Sequence, residues 1–231
     1  MGHSSDTVPA AAALERRIAV IAAGSALSDD AIGLVSDALE DHDPLVRSSA
    51  LGAASRQGRL SGDMIAQGLR DPVALVRQRA AQLAPLASGV GSRSSLPAAL
   101  IAALADPVPL CVVNVLEALA ARRTIACIDQ VIELALSAND PLVVEEAVAT
   151  LAAFGDERGL PAVLAATEGR PALRRRSVAA LGAFEGQGVE DTLDRLAQDR
   201  DWQVRQAVAM LRREPLDALP EDFDDEGDPD A

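Results

Sequence analysis

The sequence predicts an all-α protein built as an α-solenoid, a superhelical stack of helix pairs, and three observations predict it. The first is a phrase that keeps returning: DPLVRSSAL at 43–51, LVRQRAAQL at 75–83, LCVVNVLEAL at 110–119, DPLVVEEAVATL at 140–151, ALRRRSVAALG at 172–182 and DWQVRQAVAML at 201–211, with a looser copy, ALERRIAVIAAG, at 13–24. The second is the spacing of those copies. The residue ahead of the usual arginine marks each one (Leu14, Val46, Val76, Cys111, Val143, Leu173 and Val204), at intervals of 32, 30, 35, 32, 30 and 31 residues. A fixed period of about 20 to 50 residues is the signature of a solenoid or propeller. The third observation selects helices. Apolar residues recur at helical spacing, as in Val46, Ala50 and Ala54 or Val143, Ala147 and Leu151, and aromatic residues make up only 2% of the chain, which excludes strands as the repeating element.

A second helix is expected between successive copies. Ile32, Val35 and Leu39 form one stripe, and further stripes follow at Met64, Ile65 and Leu69, at Leu100, Ile101 and Leu104, at Ile128, Val131 and Ile132, at Leu160, Val163 and Leu164, and at Val189, Leu193 and Leu196. Proline is expected in the first turn of the marked helix at Pro44, Pro72, Pro107, Pro141 and Pro171, where its missing N–H has no intrahelical partner and a preceding Asp caps the open donors. This organisation divides the chain into a disordered terminus at 1–10, a solenoid of about six helix pairs and an N-terminal half-module at 11–213, and an acidic, disordered tail at 214–231. Residues 87–95 (ASGVGSRSS) read as a longer link that accounts for the 35-residue interval.

The repeated Asp-Pro-x-x-x-Val-Arg, with Ala four residues after the Val and Leu near the eighth, resembles HEAT repeats, in particular the short bilin-lyase-like type. The resemblance covers residues 11–213. It implies the fold; it leaves the activity open, because such repeats occur in scaffolds, adaptors, nucleic-acid binders and some enzymes.

Charge narrows the partners. The net charge is −14, and all 21 basic residues are arginine. Nine of the 35 acids follow Arg213 without a base among them, which leaves 26 acids against 21 arginines in the repeats. A mildly acidic body with an acidic tail argues against a nucleic-acid partner, since phosphate neutralisation supplies most non-specific affinity. The absence of lysine excludes Schiff-base chemistry by this chain. No apolar run has the 18 or so residues that a membrane span needs. Arg16-Arg17 and the apolar run after them fit the repeat register, so they read as part of the array and not as a targeting signal. Two cysteines make no disulfide framework and suit a reducing, cytoplasmic setting.

The candidate functional residues lie where the repeat departs from its own pattern. Arg47, Arg77, Arg174 and Arg205 share one register position and read as an internal ladder to turn aspartates, with Asp43, Asp71 and Asp201 placed to serve. In two modules that arginine is replaced by Val112 and Val144. With Val113 and Glu145 beside them, they read either as an apolar, acid-rimmed patch in the middle of the concave face, able to take a partner helix or loop or a second copy of the chain, or as Val112 and Val144 packing on each other in place of one rung of the ladder. Arg175 and Arg176 follow the ladder residue Arg174 and are expected to be free for an acidic partner or for the acidic tail. Catalytic and metal-binding residues are not evident. His3 and His42 are the only histidines, whereas HEAT enzymes of the deoxyhypusine hydroxylase type use repeated His-Glu pairs. Cys111 and Cys127 read as small core residues, and Trp202 as a contact to the neighbouring module.

These observations lead to the expectation of a bacterial, cytoplasmic, non-catalytic scaffold or adaptor. It would hold a protein partner in its concave groove, with no cofactor and no metal. The alternatives are a bilin-lyase-like accessory or chaperone enzyme, or a homo-oligomer formed through the central patch.

Overall fold

The computed structural model describes residues 7–88 and 95–213. The acidic tail and most of the 87–95 link lie outside the described residues. Thirteen α-helices follow one another: α1 (Thr7–Ala23), α2 (Asp29–Ala38), α3 (Pro44–Arg56), α4 (Gly62–Gly68), α5 (Ala74–Leu83), α6 (Leu96–Ala103), α7 (Pro109–Ala121), α8 (Ile128–Ser137), α9 (Pro141–Phe154), α10 (Leu160–Ala166), α11 (Pro171–Leu181), α12 (Gln187–Leu196) and α13 (Trp202–Arg212). The predicted α-solenoid is what the chain forms.

The odd-numbered helices carry the recurring phrase, and each packs against the next from α1 to α13. The even-numbered helices pack on them, but touch one another to any extent only at α4–α6 and α8–α10. Closer packing along one row than the other bends the stack, with the odd-numbered row on the inner side. Between the rows runs one continuous core that includes Leu51, Ile65, Leu100, Leu116, Leu151, Leu181 and Leu196, all fully buried. Each module alone could not bury its apolar face, so stacking is the source of stability.

Local chemistry sets the helix starts. Asp43, Asp140 and Asp201 accept hydrogen bonds from Leu45 N, Leu142 N and Gln203 N, as N-caps do. Pro44, Pro141 and Pro171 occupy the first helical positions as expected. Pro72 and Pro107 do not. Their helices begin at Ala74 and Pro109 behind Val73 and Val108. The Asp-Pro dipeptide therefore stands in two registers, once as cap plus first turn and once two residues earlier, inside the turn.

Two further expectations change. α1 begins at Thr7, inside the stretch 1–10 expected to be disordered, because the alanine run 10–13 is strongly helix-forming; residues 1–6 lie outside the described part. Leu14 is also out of register by one residue. Arg16 pairs with Asp41 just as Arg47 pairs with Asp71, so Arg16 is the ladder residue of the first module and Leu14 is the counterpart of Leu45.

Candidate functional site

The arginine ladder is structural, and each rung joins neighbouring modules. Arg47 donates from Nε and Nη2 to both carboxylate oxygens of Asp71 at 2.7 and 2.8 Å, and Arg77 does the same to Asp106 at 2.6 and 3.0 Å. Arg174 meets Asp199 at 2.8 Å twice, and Arg16 meets Asp41 at 2.8 and 3.2 Å. The third nitrogen turns back to the preceding turn: Nη1 of Arg47 donates to the carbonyls of Asp41 and His42, and that of Arg77 to those of Asp71 and Pro72. Each rung aspartate also accepts a backbone N–H, from Asp43, Val73, Val108 or Asp201. Asp43 and Asp201, expected as rungs, are helix caps. The true partners lie two residues earlier in the turn, and of the three expected only Asp71 is a rung.

The ladder sets the protonation of its acids. Burial works to raise the carboxyls of Asp71, Asp106 and Asp199, but the guanidinium bonds of Arg47, Arg77 and Arg174 and the backbone N–H bonds outweigh it and hold them below the usual range. Asp41 is lowered first by its bond to Arg16, against a smaller opposing effect of burial.

In the middle of the array the rung is lost on both sides. Val112 replaces the arginine, and Ala138 stands where the next turn would offer its aspartate. Val112 is only 5% exposed and belongs to the core, and the partly buried Ala138 packs against that core. Removing donor and acceptor together leaves no unpaired charge. The expected central patch is therefore not an open surface. Val112 is buried, Val113 is partly buried against the core, and Val144 is half-buried.

The charged candidates are engaged as well. Glu145 pairs with Arg170, and Arg176 donates to Glu146 at 3.0 Å. Arg175, although exposed, donates to Gln203 Oε1. Arg175 and Arg176 are thus not the free cations that the register implied. An open depression of about 300 Å³ lies beside Glu145, Ala172, Arg175, Arg176 and Ala179. Burial raises the Glu146 carboxyl, Arg176 opposes this and Glu117 adds to it. On the same inner face the Asn114 Nδ2 is buried without a hydrogen-bond partner among the described residues.

A different feature of the inner face went unrecognised in the sequence. Once the first module is aligned by Arg16, one position two residues before the ladder residue holds Leu14, Leu45, Leu75, Leu110 and Leu142 in five successive modules, and these are 54%, 44%, 41%, 49% and 59% exposed. The position continues as Ala172 and Gln203. Helical spacing puts it on the face that also carries Val113 and Glu117, or Glu145 and Ala149, away from the core-facing valines. Helix α1 extends the apolar surface through Ile18 and Ile21, at 58% and 45% exposed, and a small depression lies between Leu14 and Leu45 beside Ala13, Arg17 and Asp43. The signal was legible in principle, as a leucine ahead of each anchor. Two things obscure it: the first module aligns with the rest only through the Arg16–Asp41 pair, and an exposed apolar residue at helical spacing has the same pattern as one that faces the core.

Chemistry of other kinds is sparse. His42 is exposed beside Asp41 and Arg16. Among the described residues no group of three or more His, Cys, Asp or Glu is placed to hold a metal ion, and no helix is long and apolar enough to cross a membrane. Cys111 and Cys127 are free and buried. Trp202, expected against its neighbour, is 55% exposed at the start of α13, ahead of the first buried residue of that helix, Val204.

No family model matches the chain, and no curated protein matches it. Among solved structures, that of human deoxyhypusine hydroxylase in complex with glycerol aligns with a TM-score of 0.45 and 20% identity over 87% of this chain and 79% of that one. That protein is an enzyme, which corrects the expectation of a non-catalytic scaffold or adaptor. At this level of similarity no activity carries over.

Proposed function

We propose that this chain is a HEAT-like accessory or chaperone enzyme, of the short bilin-lyase-like kind, that holds its protein substrate along the leucine row of its inner face. The observation that carries the reading is the recurrence of an exposed leucine at one register position in five consecutive modules. Stability of the stack does not call for it, since the neighbouring anchor residues such as Val46 and Val143 already fill the core. Successive packed helices lie about 8–10 Å apart. Two turns of an α-helix rise by about 11 Å, so an amphipathic segment with an apolar residue at every seventh position matches the row. The free, buried cysteines fit a reducing compartment such as the cytoplasm.

The test uses a photo-crosslinking residue at Leu75 or Leu110 in the native host to identify the client, followed by binding measurements on purified components. Leu45→Glu, Leu75→Glu and Leu110→Glu combined should weaken binding at least about tenfold while helicity and thermal midpoint stay close to the parent, because surface changes cost little. Unchanged affinity would sink the reading. Self-association is a second reading, favoured by the Leu14, Ile18 and Ile21 stripe of α1; light scattering that shows a dimer lost in Ile18→Glu would select it.

A further inference from the structure

One arginine of the inner face lacks what the others have. Arg79 is half-buried on α5, two residues after the ladder residue Arg77. Every other half-buried arginine among the described residues donates a hydrogen bond, to an aspartate, a hydroxyl or a backbone carbonyl. Arg79 makes no hydrogen bond and no ion pair among the described residues. A guanidinium drawn partly out of water is normally paired.

Its surroundings are cationic. Gly52 on α3 has no side chain, and the Arg79 guanidinium lies over it, with Nη2 2.8 Å from the point that a Cβ would occupy. Nη1 of Arg56 is 3.6 Å from that same point. Arg56 is held there by lying over a glycine of its own, Gly24, and by donating from Nη2 to the Ile21 carbonyl at 3.1 Å. On the same stripe of α3, Ser49 accepts from Nε of Arg17 at 3.2 Å. Ser49, Gly52 and Arg56 stand at helical spacings of three and four, so the three arginines meet α3 along one face. Helices α3 and α5 contain no acid. Asp43, which shares a small depression with Arg17, is occupied as the cap of α3.

Two guanidiniums that converge without a carboxylate form a receptor for one oxyanion, because the guanidinium edge matches the oxygens of a carboxylate or a phosphoryl group. A polyanion such as nucleic acid is a poorer ligand. The next two inner helices carry Glu117, Glu145 and Glu146, at about 8–10 Å per helix along the face, and would repel the neighbouring phosphates. Ser49 and Arg79 each stand four residues after an exposed leucine, Leu45 and Leu75, which is about 6 Å along the helix. The cationic seam therefore borders the leucine row.

We infer that Arg79 and Arg56, with Arg17 at their edge, bind an oxyanion, a carboxylate or phosphoryl group, carried by the protein substrate beside the apolar stripe that meets the leucine row. The bearer of the anion rests on the leucine-row reading; the anion site itself does not.

The test follows the Nε–H resonances of Arg79 and Arg56 in the full chain as two probes are added. One is inorganic phosphate. The other is an amphipathic peptide with leucine at every seventh position and glutamate one turn from each, set against its glutamine version. Both probes should move the Arg79 resonance along a saturating curve. The glutamate peptide should bind about tenfold tighter than the glutamine one, the range of a charge-assisted pair. Arg79→Gln should abolish that preference. Gly52→Ala keeps every charge but puts a methyl group against the guanidinium, so it should weaken the preference as well, whereas Arg175→Gln should leave it intact. A phosphoserine peptide that binds tighter than the glutamate one assigns the site to phosphoryl groups, and the reverse order assigns it to carboxylates. An Arg79 resonance that ignores both probes, or drifts linearly as general screening would make it, overturns the inference. So does a preference that survives Arg79→Gln. The leucine row is judged apart: Leu110→Ser should weaken both peptides alike, and if it does not while Arg79 still answers phosphate, the row fails and the anion site stands.

Discussion

Arg174 and Asp199 face each other through two parallel hydrogen bonds of 2.8 Å, and both side chains are only 9% exposed. They sit in adjacent modules, on α11 and in the turn before α13, so the pair fastens one repeat to the next. Removing one partner strands the other in a site with little access to water. Asp199→Ala is expected to destabilise by about 3 kcal/mol, near the lower end for a broken buried pair. Arg174→Val combined with Asp199→Ala should cost about half of that or less, since the natural Val112 and Ala138 show that the stack accepts an apolar rung. Denaturant unfolding of the two single variants and the double variant measures the coupling.

The acid side of the pH profile follows from the same rungs. Asp41, Asp71, Asp106 and Asp199 all titrate lower in the folded chain than in the unfolded one. A lowered carboxyl binds its proton more readily after unfolding. Its contribution is therefore complete above about pH 4, the unfolded value, and is lost as pH falls through the folded one. The thermal midpoint should hold between about pH 7 and pH 5 and drop below about pH 4. Asp71→Asn should lower the midpoint at neutral pH and flatten the acid drop. Glu146 works in the opposite sense: its raised carboxyl adds stability at low pH that is lost as pH rises through its folded value.

What was legible in the sequence, and what was not, divides along physical lines. Core positions repeat because every module must bury the same face, so Val46, Val76, Val143 and Val204 could be read from period alone. The Arg–Asp rungs were half legible. The arginines repeat, but Asp41 and Asp43, or Asp199 and Asp201, lie two residues apart in one turn, and only geometry tells rung from cap. Val112 stands where an arginine stands elsewhere, yet it is buried, because the opposing aspartate is lost with the arginine and Ala138 takes its place. Gln57 gave no signal at all, yet its buried Nε2 donates to the carbonyls of Ala23 and Ala26 and ties the first turn to α3.

Close helix packing makes a sharp test at Gly68, the last residue of α4. A methyl group added there would come within 2.8 Å of Ala80 Cβ and 3.2 Å of Leu51 Cδ1. Ala80 is fixed on α5, so the helices must move apart. Gly68→Ala gains helix propensity of up to about 1 kcal/mol, but overpacking costs about 1–3 kcal/mol, and the net change should be destabilising. Gly33→Ala, where an added methyl meets nothing within 4 Å, should be stabilising. Paired thermal melts of the two variants check the sign of each.

The cysteines report on opening of the stack. Burial raises both thiols, and for Cys111 the neighbouring Asp106 raises it further while Arg77 pulls the other way. Thiolate is the reactive species, so both groups combine little thiolate with little access. Cys111 Sγ lies 3.8 Å from the Ala74 carbonyl, in the seam between α5 and α7, whereas Cys127 Sγ lies 3.1 Å from the Thr124 carbonyl in the turn that leads into α8. Under native conditions a disulfide reagent should label neither at the rate of a free thiol. Both should react quickly in denaturant. Arg77→Leu should speed labelling of Cys111 while leaving Cys127 slow, because it breaks the Arg77–Asp106 rung that holds α5 to the turn before α7. Equal acceleration at both cysteines would mean that the array opens as a whole and not module by module.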